Sequence, residues 1–92
     1  MPSQTLEVIS KPGLHMTPVG QFVSMARAFP ETAVRVRRDE READGKSVVG
    51  MMALEALEGT VIEIVTEGPR ADQVLHELIE LLVTTSQGRR LP

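Results

Sequence analysis

The side chains able to do chemistry in this 92-residue chain are few, and His15 is the most informative of them. It lies in the octet Gly13-Leu14-His15-Met16-Thr17-Pro18-Val19-Gly20. Thr is a favoured helix N-cap and Pro a favoured first helical residue, so Thr17-Pro18 predicts a helix that starts just past the histidine. Backbone N–H groups lack partners at such a start, and the helix dipole favours negative charge there. A histidine in that position can hold or receive an anion such as phosphate. Free imidazole titrates near pH ~6.5, so much of it is an unprotonated nucleophile at neutral pH. A nucleophilic nitrogen can accept a phosphoryl group. The geometry points to a phosphoryl acceptor rather than a metal ligand. The same spacing also suits a loop histidine that merely caps or packs.

Ser47 follows Gly45-Lys46 at the predicted start of a second helix, where a serine is an ordinary N-cap. A phosphate added there would carry about −1.5 to −2 charge and would be tolerated by the helix dipole. It would lie beside Val48, Val49 and Met52. A helix this short cannot turn all of Val48, Val49, Met51, Met52 and Leu54 inward, so some apolar surface stays exposed. Such surface can mark a docking patch, and methionine suits adaptable contacts. Ordinary core with one or two exposed residues fits the pattern equally well. The other histidine, His76, has Asp72 and Glu80 one turn away on either side, which predicts a solvent-facing charge contact. Arg35, Arg37, Arg38 and Arg41 could attract an anion, but Asp39, Glu40 and Glu42 offset them, so a solvated face is expected.

The elements that must position these residues are legible as periodicities. Residues 5–9 alternate, with Leu6 and Val8 on one face, and Lys11-Pro12-Gly13 ends the strand. Val19, Phe22, Val23, Ala26 and Phe29 mark a helix that Pro30 stops. Residues 33–38 alternate again, with Val34 and Val36 inward. Asp39-Glu40-Arg41 reads as a charged turn before a weak strand over 42–44, where β-propensity is low. A helix starting at Ser47 and a strand over 60–66 with Ile62 and Ile64 inward come next. Gly68-Pro69 turns the chain. A helix over 71–84 then carries Ala71, Val74, Leu75, Leu78, Ile79 and Leu82 on one stripe. Residues 86–92 have no apolar period and are expected to form a mobile tail. The order β-α-β-β-α-β-α predicts an α/β chain of α+β type. It would be an open-faced β-sandwich, a four-stranded antiparallel sheet with three helices on one face.

Composition narrows the function classes. The chain is 41% hydrophobic, which suits one small domain over residues 1–92 with a single core. It has no cysteine, so disulfides, thiol catalysis and zinc-thiolate sites are excluded. No apolar run would span a bilayer and no signal-like segment opens the chain, so a soluble, cytoplasmic protein without membrane insertion is expected. A net charge of −3 with no Trp or Tyr argues against nucleic acid as a partner. No metal and no cofactor are expected, and the protein is read as a monomer.

Taken together these residues resemble the HPr family, the histidine-containing phosphocarriers of the bacterial phosphoenolpyruvate:sugar phosphotransferase system. The resemblance rests on Gly13-Leu14-His15 with Pro18, the Lys46-Ser47 helix start, Gly59-Thr60 before the last predicted strand, and the element order. It implies a carrier rather than an enzyme. His15 would take phosphate from phospho-enzyme I on its δ nitrogen and pass it to sugar-specific enzyme II components. It also implies a regulatory role for Ser47, phosphorylated in some bacteria by an HPr serine kinase/phosphorylase. The docking surface would comprise Val48, Val49 and Met52, with Met16 and Thr17 beside the histidine. One position departs from the family pattern His-x-Arg-Pro: Thr17 stands where Arg is usual. Losing a charge-assisted hydrogen bond costs roughly 1.5–3 kcal/mol, on the order of ten- to a hundredfold in transfer. Lys11, at the other end of the loop, or the Thr17 hydroxyl would have to support the phosphate instead. The rival reading is a regulatory binding protein of the same fold, controlled through Ser47 or His15 and moving little sugar.

Overall fold

A computed structural model describes all 92 residues. β1 (Ser3–Val8) leads through the His15 loop into α1 (Met16–Arg27). The hairpin β2 (Ala33–Arg38) and β3 (Arg41–Asp44) follows, turning at Asp39-Glu40. Then come α2 (Val48–Ala53), β4 (Val61–Glu67), α3 (Ala71–Thr84) and β5 (Gly88–Arg90). The strands form one antiparallel sheet in the order β3-β2-β4-β1-β5.

The register explains the layering. Leu6 lies opposite Ile62, and Val36 opposite Ile64, so the apolar member of each alternating strand falls on the same face. Helices α1 and α3 lay Val19, Phe22, Val23, Ala26, Val74, Leu78, Ile79 and Leu82 onto that face, and α2 adds Met51. These side chains belong to one contiguous core of 18 buried residues. The opposite face of the sheet is open and charged. Arg37 donates to Glu42 at 2.9 Å and approaches Glu63 at 3.9 Å across the rungs, and Glu42 raises the Arg37 pKa. Arg35 and Arg37 thus lie on the solvated face that their acidic neighbours predicted, and Arg41 pairs with Glu55 in solvent. Arg38 departs from that reading: it is half-buried and donates to Leu54 O at 3.3 Å. No helix is long and apolar enough to cross a membrane.

The structure corrects the predicted architecture in two places. The sheet has five strands, not four, because the expected mobile tail supplies β5. Gly88, Arg89 and Arg90 pair with Val8, Glu7 and Leu6. Backbone hydrogen bonds and the Arg89–Glu7 and Arg90–Glu80 ion pairs hold this strand, so it leaves no apolar period in the sequence. The first helix also starts earlier than Thr17-Pro18 suggests. His15 itself is the N-cap residue, with extended backbone, and its carbonyl already accepts from Val19 N at 3.0 Å. Pro18 therefore sits within the first turn. A missing N–H costs nothing anywhere in that turn, so sequence alone does not fix its place.

Candidate phosphoacceptor site

The His15 loop is held in place from the segment that follows α2. Leu14 N donates to Ala56 O at 2.9 Å, Glu58 N donates to Pro12 O at 3.1 Å, and Gly13 bridges Leu57. Gly13 has φ +138°, and a Cβ there would meet Ala56 O at 2.5 Å and Leu57 Cα at 2.6 Å. Only glycine fits that contact. The loop thus reaches His15 with its backbone fixed, and the imidazole is exposed at the start of α1.

The ring makes one contact, Nδ1 to the Gly13 carbonyl oxygen at 3.2 Å. A carbonyl only accepts, so this contact places the proton on Nδ1 and the lone pair on Nε2. Presenting Nδ1 as a nucleophile requires the ring to leave Gly13 O. The His15 side chain does not cap the helix, so it is not held back from solvent by its own N-terminus. Two peptide N–H groups of the first turn, those of Met16 and Thr17, precede Pro18, which has none. With the exposed Thr17 hydroxyl they are the donors nearest in sequence to a phosphate on His15. Lys11 is exposed at the far end of the loop.

Ser47 is the N-cap of α2, as its position predicted: its Oγ accepts from Gly50 N at 2.9 Å. It is not brought to His15. Lys46 Nζ donates to Phe29 O at 2.8 Å and Arg27 Nε donates to Lys46 O at 2.8 Å, which ties Ser47 to the C-terminal end of α1. His15 caps the other end of that 12-residue helix, about 18 Å of helix away. Helix α2 and the residues that follow it to Glu58 bridge the gap. The start of α2 is tied to the end of α1, and the chain just after it grips the His15 loop. Val49 (80% exposed) and Met52 (37%) therefore lie between the two sites, with Met16 (60%) and Leu57 (55%) at the histidine end. Val48 departs from the predicted trio, being half-buried and packed against the core. Beside Met16 and Thr17, a groove of about 790 Å³ runs along α1 past Gly20, Gln21 and Ser24 to Phe29.

Sequence reasoning missed Ala56 and Leu57 as supports of the loop. The one available signal was the apolar pair Ala56-Leu57 between Glu55 and Glu58. His76 is exposed on α3, as predicted; the carboxyl of nearby Glu80 is held below its ordinary value chiefly by a hydrogen bond from Arg90.

Comparison with known proteins agrees with this geometry. A family model described as the PTS HPr component phosphorylation site matches residues 2–84. The phosphocarrier protein HPr of Pseudomonas aeruginosa is 40% identical over 83 residues, covering 89% of this chain and 91% of that one. The phosphocarrier protein NPr of Escherichia coli is 32% identical, covering 85% of this chain and 87% of its own length. Among solved structures, HPr of Thermoanaerobacter tengcongensis superposes with a TM-score of 0.87 at 29% identity, covering 94% and 96% of the two chains. The chain belongs to the HPr family of the phosphotransferase system, whose members carry phosphate rather than catalyse a reaction.

Proposed function

We propose that this protein accepts a phosphoryl group on His15 from phospho-enzyme I and passes it to sugar-specific enzyme II components. The observation that carries the reading is the exposed His15 imidazole at the N-cap of α1, beside the open N–H groups of Met16 and Thr17. In the accepting step the ring-nitrogen lone pair attacks phosphorus and a P–N bond forms. The bond to the donor breaks and leaves its electron pair on the donor. The ring proton goes to solvent or to the donor group. In the donating step a nucleophile of the enzyme II component attacks phosphorus and that P–N bond breaks, its electron pair returning to the ring. The helix N-terminus stabilises the charge on the phosphoryl oxygens. Met16, Val49, Met52 and Leu57 form the docking surface, and Thr17 and Lys11 support the phosphate. The protein works as a cytoplasmic monomer, folded as one domain, without cofactor, metal or nucleic acid.

Incubation with enzyme I and phosphoenolpyruvate should add one acid-labile, base-stable phosphate, and His15→Ala should abolish it. An unchanged mass under conditions that phosphorylate a standard HPr would end this reading. A second reading, a regulator controlled through Ser47 or His15 that moves little sugar, is favoured by Thr17 and by a relative named for a phosphocarrier other than HPr. A serine kinase that modifies Ser47 while enzyme I leaves His15 untouched would establish it.

A further inference from the structure

The last strand touches the stem of the phosphoacceptor loop. β5 pairs along β1 through Gly88, Arg89 and Arg90, and the ladder runs on at both ends. Leu91 N donates to Thr5 O at 3.0 Å, and Ile9 N donates to Gln87 O at 2.9 Å. Ile9 is the residue at which β1 gives way to the His15 loop. On its other side the same stem is held by Thr60 and Gly59: Val8 N donates to Thr60 O at 2.9 Å, and Gly59 N to Val8 O at 2.8 Å. The stem is therefore gripped from two sides, and β5 supplies one of them. Gln87 is itself anchored, its N–H donating to Leu82 O at 2.8 Å at the end of α3.

β5 is held by its backbone ladder to β1 and, at its side chains, by ion pairs. Arg89 pairs with Glu7 and Arg90 with Glu80, all at solvent-accessible positions. Gln4 Nε2 adds a bond to Leu91 O at 2.9 Å. Neither arginine enters the core. The strand also lies beyond residues 2–84, the stretch that matches the family model.

We propose that β5 is an ion-pair-latched clamp on the stem of the His15 loop, with Gln87 and Arg89 as positioning residues for phosphoryl acceptance. This inference rests on the phosphocarrier reading above. A clamped stem fixes where the loop leaves the sheet, and so fixes the His15 ring relative to the first turn of α1. Small displacements of a reacting group can cost as much as about a hundredfold in rate. Releasing the stem should therefore slow transfer without touching the surface that docks the donor.

The test is the double variant Arg89→Glu/Arg90→Glu in the full chain, which puts like charges against Glu7 and Glu80. Amide exchange should show Ile9 losing protection while Val8, bonded to Thr60, keeps it. Phosphorylation of His15 by enzyme I should fall about tenfold in kcat with KM for the carrier unchanged. Adding Glu7→Arg and Glu80→Arg should restore both pairs with inverted sign and recover the rate. For a variant that fails to fold, the parent in roughly 1 M salt serves instead, because screening there reaches within about 3 Å. Its Ile9 protection and its His15 ring-nitrogen signals should change together. An unprotected Ile9 with parental kcat and unchanged ring signals would overturn the clamp. Failure of enzyme I to phosphorylate the parent would count against the phosphocarrier reading alone, and the ring signals would still decide the clamp.

Discussion

At the scale of single residues, Thr17 is where this chain departs furthest from its family's chemistry. Its hydroxyl is exposed beside His15 and can donate one hydrogen bond, where a guanidinium would donate several and add charge. Thr17→Arg should therefore speed phosphate exchange with enzyme I by about tenfold or more, read by rapid-quench kinetics. An unchanged rate would make Lys11 the first suspect for the phosphate-supporting cation. Gly20 gives a contrasting case. It lies inside α1, and a Cβ there would meet nothing within 4 Å. Gly20→Ala should stabilise the fold by about 1 kcal/mol and raise Tm by several degrees in a thermal melt. The same methyl enters the groove beside Thr17, so the variant separates stability from docking. Reading the sequence placed His15 and Ser47 at helix starts because helix-start signals flank each of them. It could not find Ala56, whose part is played by a backbone carbonyl.

At the scale of elements, α2 connects Ser47 to the segment that holds the His15 loop. Ser47 caps its start, and the residues just past its end hold the His15 loop. Asp is as good an N-cap as Ser, so Ser47→Asp should leave the melting temperature nearly unchanged. Its charge would sit beside Val49 and Met52, where docking must remove water, so phosphorylation of His15 by enzyme I should slow. If Tm collapses instead, the serine is structural and the switch reading fails. Helix α3 and strands β1 and β2 were legible because each keeps an apolar period of 3.6 or 2, and β4 because Ile62 and Ile64 alternate within a β-branched run. The inward turn of Val48 was not legible. A helix of six residues is too short for its period to say which of two adjacent valines faces the core.

At the scale of the whole molecule, the tail and α3 are coupled through charge. A hydrogen bond from Arg90 is the chief cause holding the Glu80 carboxyl below its ordinary value. A carboxylate whose folded pKa is depressed adds stability that is present above its unfolded pKa. That stability is lost as pH falls through the lower, folded value. The Arg90–Glu80 half of the β5 latch should thus weaken only in acid below the usual glutamate range. Arg90→Ala should move the Glu80 titration upward when followed by carboxyl carbon shifts in NMR. An unmoved titration would mean that the pair does not form in solution. The tail strand was hidden from sequence reasoning because its one buried residue is Gly88, which has no side chain to mark an apolar period.

The pairing of β5 with β1 also bears on the order in which the chain folds. Arg89 meets Glu7 across 82 positions of sequence, whereas β2 and β3 meet through the short Asp39-Glu40 turn. Contacts of such separation carry the largest loop-closure entropy and form late. The hairpin can form while the tail is still free, and the sheet is completed only when residues 88–90 dock against a β1 already seated on β4. Substitutions that weaken β5 should therefore leave the refolding arm of a chevron unchanged and raise only the unfolding arm. Stopped-flow measurement of Arg89→Ala would show this, and a slowed refolding arm would place the tail in the folding nucleus instead. A strand that docks last is also the first to leave, so the histidine loop of an intact molecule would loosen well before the fold is lost.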